Sequence, residues 1–183
     1  LPISMTTIHL GGHVAGHPEV NALGQMDVTG WLRANGLPPQ ACCDVGILPN
    51  HLMPAVYNEA DVALLPNRCE GGTNLVAMEC LACGVPTILS ANTGHLDLID
   101  DRHCYPLLKQ SPVKPVPPVL GTEGWGESDV LEIVEALERV YRDRREAEKK
   151  GAAAARFMQD WTWDKRFAEF AQQLEAAGAS WTR

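Results

Sequence analysis

From residue 5 to residue 107, short apolar runs rich in β-branched residues alternate with longer segments of helical period. The runs at 5–10, 45–48, 62–65, 85–89 and, more weakly, 104–107 read as strands. Segments 20–35, 51–60, 74–83 and a short turn at 95–99 read as helix. A strand apolar on both faces must be covered on both, and parallel strands joined through helices meet that demand. The pattern therefore predicts an α/β fold, a parallel sheet flanked by helices.

The 183 residues are enough for one sizeable core and too few for two ordinary domains. Hydrophobic residues at 45% and charged residues at 21% argue against a disordered, collagen-like or disulfide-scaffold chain. Fifteen Lys and Arg against 23 Asp and Glu give a net charge of −8, so nucleic acid is not an expected partner. No apolar run approaches the roughly 18 residues that cross a bilayer, and no transmembrane segment is expected. Leu1-Pro-Ile-Ser4 lacks the basic start and apolar core of a signal peptide, and a cytoplasmic location is the expectation.

The six cysteines, at 42, 43, 69, 80, 83 and 104, form no even framework and read as reduced thiols. Cys80 and Cys83 have zinc-ligand spacing, but they fall in a helical pattern with no second pair to complete four ligands. His9, His13 and His17 recur every four residues, yet Gly11, Gly12, Gly16 and Pro18 among them break helices, so a polar loop is expected there.

Ser111-Pro-Val-Lys-Pro-Val-Pro-Pro118 is read as loop or polyproline II, with Gly121 to Gly126 beyond it, bordering either a cleft or a partner. After it the pattern is helical only. A first helix starts at the cap-like Ser128-Asp129 and carries Val130, Ile133, Val134, Leu137, Val140 and Tyr141 on one stripe. Its other face, from Glu132 to Arg144, interleaves acids and bases that pair along the helix and reads as solvated. After Gly151 a helix continues from 152 to 158, and Trp161-Thr-Trp163-Asp164 opens a last one whose Phe167, Phe170, Ala171 and Leu174 are expected to face inward. The expected organisation is residues 1–127 as the sheet domain and 128–183 as helices packed on it.

The chemistry is concentrated between Asp61 and Ile88. A buried strand ends at Pro66, a glycine-bearing polar loop follows, and a helix starts near Thr73 or Asn74. At the carboxyl end of a parallel strand such a turn aims backbone N–H groups and the positive helix end into the crevice where open α/β sheets bind ligands. Gly71 and Gly72 let the main chain approach an anionic group, so diphosphate binding is expected. Glu70 in the loop and Glu79 in the helix are acceptors suited to vicinal sugar hydroxyls. Spacing alone equally allows Glu70 to cap the loop and Glu79 to sit on an exposed helix face.

These residues resemble the donor-binding motif of the GT-B glycosyltransferases, specifically the C-terminal domain of the retaining group-1, family 4 type enzymes. The family pattern is a strand ending in Pro, Glu-Gly-Phe-Gly, then Glu-Ala-Met-Ala, one residue, and Gly. Glu79-Cys-Leu-Ala-Cys-Gly-Val-Pro86 matches its second half. Gly46-Ile-Leu-Pro49, Tyr57-Asn-Glu-Ala-Asp61-Val, Ser90-Ala-Asn-Thr-Gly94 with Asp97-Leu-Ile, and Trp161-Thr-Trp163 match its flanks in order. Two departures stand out. Eight residues separate Glu70 from Glu79 where the family has seven, and the Gly-Arg and Lys-Gly of the preceding strand-helix unit are not found.

The resemblance implies a Rossmann-like half of a GT-B fold with a C-terminal helical tail, binding a UDP- or GDP-linked sugar. It implies Glu79 on the ribose hydroxyls, Glu70 as the catalytic-site residue on the sugar hydroxyls, and the N–H groups of Gly72, Thr73, Asn74 and Leu75 facing the diphosphate. Arg68 either adds positive charge or lies in solvent; His95, next to Gly94, either contacts the donor or faces water. No metal and no separate cofactor are implied, and transfer proceeds with retention. The chain is expected to be a fragment lacking the N-terminal acceptor-binding domain, inactive alone and peripheral at a membrane only through that half. The competing readings are a non-catalytic binding or assembly module of the same fold and half of a sugar-nucleotide epimerase.

Overall fold

A computed structural model describes residues 27–34, 36–38, 40, 48–115 and 121–178. The strand expected at 5–10, most of the one at 45–48, the three histidines and the Cys42-Cys43 pair lie outside them. The chain divides into two compact units, 1–61 and 62–183. The first contains helix α1 (Val28–Ala34), a 3-10 turn at Asn50–Leu52 and helix α2 (Met53–Asn58).

The second unit holds the sheet. Strands β1 (Ala63–Leu65), β2 (Thr87–Ser90) and β3 (Tyr105–Leu107) pair in parallel in the order β1-β2-β3, with Ala63 opposite Thr87 and Ile88 opposite Tyr105. Helix α3 (Leu75–Ala82) makes the crossover from β1 to β2. All four β2 residues are buried, and its side chains alternate between two cores. Leu89 packs with Ala77, Leu81, Leu98, Ala154 and Met158, whereas Ile88 packs with Tyr105, Leu107, Val140 and Ala147. Two cores on opposite faces of one strand are what a sheet covered on both sides requires. Each fully buried leucine among them stabilises the fold by about 1.5–3 kcal/mol.

Helix ends follow local chemistry. Asn74 caps α3 by accepting the Ala77 amide at 3.0 Å on Oδ1. At the other end Gly84, at φ +75°, donates to Leu81 O while Val85 donates to Cys80 O, both at 3.0 Å. That pair of bonds is the Schellman arrangement, which favours glycine at the left-handed position. Asp129 and Asp143 cap helices α4 (Val130–Arg142) and α5 (Arg144–Met158) in the same way as Asn74.

The structure departs from the sequence expectations at five places. Ser111 and Pro112 are not loop but part of strand β4 (Gln110–Pro112), antiparallel to β5 (Gly126–Ser128); proline is tolerated at such an edge because no further strand needs its missing N–H. Gly151 lies inside α5, where it lets the helix approach the end of α3: a Cβ there would sit 2.1 Å from Gly84 O. On α4 the packing stripe is Ile133, Ala136, Leu137 and Val140, while Val130, Val134 and Tyr141 are exposed. Glu132 on its charged face is engaged, accepting the Leu108 and Lys109 amides at 3.0 and 2.9 Å. In the last helix, α6 (Trp163–Ala176), Phe167 and Phe170 are exposed at 69% and 53%, against the inward orientation expected, and the aromatic packing rests on Trp161 beside Phe157. Among the described residues no helix is long and apolar enough to cross a membrane.

Candidate functional site

The carboxyl ends of β1 and β2 meet at the loop 66–74 and at a 3-10 turn, Thr93–Asp97. Side chains fix the loop from below. Ser90 Oγ donates to Asn67 O at 2.7 Å, and Asn92 Nδ2 lies 2.9 Å from Asn67 O, 3.0 Å from Gln110 Oε1 and 3.1 Å from Gly126 O. Asn92, buried, thereby ties the loop to the β4–β5 hairpin, and the Gly126 amide adds a bond to Arg68 O at 2.9 Å.

Glu70 is held on three sides. Its amide donates to Thr93 Oγ1 at 2.8 Å, its carbonyl accepts from the Gly94 amide at 3.3 Å, and its Oε1 accepts from Asn67 Nδ2 at 2.6 Å and Asn74 Nδ2 at 2.9 Å. Partial burial raises the Glu70 carboxyl above its ordinary range, with the Asn67 bond pulling the other way. Thr93 makes its bond from φ 39°, a left-handed backbone that costs a β-branched residue energy and must be held by its surroundings. Gly94 is required sterically, because a Cβ there would fall 1.7 Å from Gly72 O.

The helix mouth is open. A Cβ at Gly71 or Gly72 would meet nothing within 4 Å. Among the described residues the amides of Gly72, Thr73, Asn74, Leu75 and Val76 donate to no protein group, while the next amide, Ala77, is taken by the cap. Glu79 is exposed one turn further on, sharing the outer stripe of α3 with Leu75 and Ala82.

Two expected residues are placed differently. His95 does not face water: it is 0% exposed, its Nε2 3.0 Å from Asn74 Nδ2 and its Nδ1 2.9 Å from Ser90 Oγ. Burial lowers its pKa, with the Ser90 backbone bond opposing. Arg68 neither lies free in solvent nor offers an unshared charge, since its guanidinium pairs with Glu127. Residues 122–126 and the start of the proline stretch border an open groove of about 610 Å³ with Thr93 and Leu96.

The structure also gives roles to Asn67, Ser90, Asn92 and Thr93; the resemblance had placed Ser90 to Thr93 in a glycine turn beside the donor without giving any of them a role. Only the cap carried a local sign, an Asn directly before an apolar helical run. The bonds from Ser90, Asn92 and Thr93 to the loop and to Gly126 join residues 23 to 34 positions apart. Cys80 is buried, with its thiol pushed up to about 12, chiefly by burial. Among the described residues no three His, Cys, Asp or Glu side chains converge to hold a metal.

Residues 52–170, well over half of the chain, match the family described as "Family 4 Glycosyltransferase in conflict systems". No curated protein matches the sequence. Among solved structures the chain is similar to sucrose-phosphate synthase from Thermosynechococcus elongatus, at TM-score 0.57 and 22% identity over 82% of this chain and 34% of that one. It is also similar to HepE of Anabaena, crystallised with UDP, at TM-score 0.56 and 14% identity over 82% and 36%. The C-terminal domain of LpcC, a group 1 glycosyl transferase of Francisella tularensis, gives TM-score 0.50 and 16% identity over 73% and 62%. The chain thus spans about a third of the length of the first two, and identities this low speak for the fold alone.

Proposed function

The chain belongs to the family 4 glycosyltransferases of conflict systems, with a fold of GT-B type, and from that membership we propose that it forms the donor-binding half of a transferase moving a hexose from a nucleotide diphosphate to an acceptor with retention. The observation that carries this is the open mouth of α3: four successive amides, Gly72 to Leu75, without partners among the described residues, ahead of a capped helix at the carboxyl edge of a parallel sheet. A diphosphate there meets N–H donors and the positive helix end together. As the sugar C1–O bond to the diphosphate breaks, negative charge grows on the leaving phosphate, and donors already in place stabilise it without reorganising. No metal is needed for that step, and none is proposed.

Glu79, exposed and one turn beyond the mouth, holds the ribose hydroxyls, while Glu70 offers its remaining carboxylate oxygen to the sugar. Gly94 contributes by permitting the close approach of its turn to Gly72. HepE's crystallisation with UDP makes UDP the first nucleotide to try. One observation favours the second reading, a binding module without transfer: Arg68, the basic side chain of the loop, is already paired with Glu127.

Calorimetric titration of the chain and of Glu79→Ala with UDP and GDP tests the proposal. One nucleotide is expected to bind the wild type, and the substitution to abolish binding with the melting temperature nearly unchanged, since an exposed residue is being truncated. Unaltered nucleotide affinity in Glu79→Ala refutes the role given to Glu79.

A further inference from the structure

Beneath Glu70 runs a closed chain of hydrogen bonds, made by side chains except where it passes through the Asn67 carbonyl, whose directions can be assigned. Asn74 Oδ1 accepts the Ala77 amide, which fixes Nδ2 as the donor end of that side chain. Nδ2 spends one hydrogen on Glu70 Oε1 at 2.9 Å and the other on His95 Nε2 at 3.0 Å. An amide nitrogen only donates, so Nε2 accepts, and the ring proton sits on Nδ1. Nδ1 lies 2.9 Å from Ser90 Oγ and 3.1 Å from Ser90 O. Ser90 Oγ gives its own hydrogen to Asn67 O, and Asn67 Nδ2 returns to Glu70 Oε1, closing the ring. His95 and Ser90 are 0% exposed and Asn74 6%, so none of the three has water to turn toward.

We propose that His95 is a positioning residue for Glu70. Its neutral imidazole accepts from Asn74 and locks that amide, and the amide together with Asn67 saturates Oε1. Oε2, which accepts no hydrogen bond from the described residues, is left at a fixed angle for one hydroxyl of a nucleotide-linked sugar. A protonated ring would set a donor against the Asn74 donor and release the amide. The inference rests on the donor-site reading above and adds the device that orients its sugar-facing carboxylate, as outer hydrogen-bond partners orient ligating groups elsewhere.

The test compares UDP with UDP-glucose, and GDP with GDP-mannose, by calorimetry on the wild type, His95→Phe and His95→Gln. Phenylalanine keeps the ring but removes the acceptor; glutamine restores an acceptor near Nε2. With the pair that the wild type binds, His95→Phe is expected to leave nucleotide affinity unchanged and to lower the ratio of nucleotide-sugar to nucleotide affinity about fivefold, the worth of one hydrogen bond. His95→Gln is expected to recover most of that ratio. An unchanged ratio in His95→Phe overturns the proposal. Because a substitution at a fully buried position can unfold the domain, the wild type supplies an independent reading: nitrogen NMR of the imidazole is expected to find the proton on Nδ1, and a proton on Nε2 overturns the assignment. A wild type that binds neither UDP nor GDP instead refutes the donor site itself, and the imidazole measurement then still decides the orienting chain.

Discussion

At the residue scale, the decisive contrast is between the two glutamates. Both stand in one motif, yet Glu79 is exposed on α3 while Glu70 is gripped by Asn67, Asn74, Thr93 and the Gly94 turn. The grip on Glu70 depends on a glycine at 94. Gly94→Ala places a methyl group into Gly72 O, backbone against backbone, where neither partner has a soft side chain to yield. The expected result is a loss of about 1–3 kcal/mol in denaturant unfolding, the range for overpacking, together with weakened nucleotide binding. Wild-type stability in Gly94→Ala would mean that the turn and the loop do not need this contact. The motif's glutamates, glycines and helix cap were legible in the sequence because their signals are local. The polar girdle under them was not, since Ser90, Asn92 and Thr93 are unremarkable by type and acquire their role from partners far along the chain.

At the element scale, alternation of apolar and helical segments was sufficient for β1, β2, β3 and α3, whose burial follows directly from period and composition. It was insufficient where a local breaker sits in a tertiary setting that tolerates it. Pro112 ends an edge strand, and Gly151 lies mid-helix because α5 must pass close to the end of α3. An exposed glycine in a helix interior is improved by alanine by up to about 1 kcal/mol. Here the sign is expected to reverse, since the added Cβ would stand 2.1 Å from Gly84 O. Thermal denaturation of Gly151→Ala should therefore give a lower melting temperature than the wild type, and a higher one would show that the helices part at no cost. The outward aromatics of α6 and the outer stripe of α4 show the converse limit: amphipathic period says that a face is apolar and not what it meets.

At the scale of the whole molecule, burying a neutral histidine makes stability depend on pH. His95 in the fold has a pKa below its ordinary 6.5, so in mild acid the unfolded chain takes up a proton that the folded protein refuses. Stability conferred by this group is complete above 6.5 and is lost as pH falls from there toward the folded value. Glu70 acts with the opposite sign nearer its ordinary 4.5: its raised folded pKa lets the native state hold a proton that the unfolded chain has released, which offsets part of the loss. Denaturant unfolding followed below pH 6.5 is expected to show declining stability in the wild type and a flatter profile in His95→Gln; identical profiles would remove His95 as the source.

The functional reading depends on what occupies the mouth of α3. A crystal structure of the chain with UDP examines it directly: the diphosphate oxygens are expected within hydrogen-bond distance of the amides from Gly72 to Leu75, and the Glu79 carboxylate on the ribose hydroxyls. UDP bound at another surface, or a ribose that leaves Glu79 untouched, would contradict it.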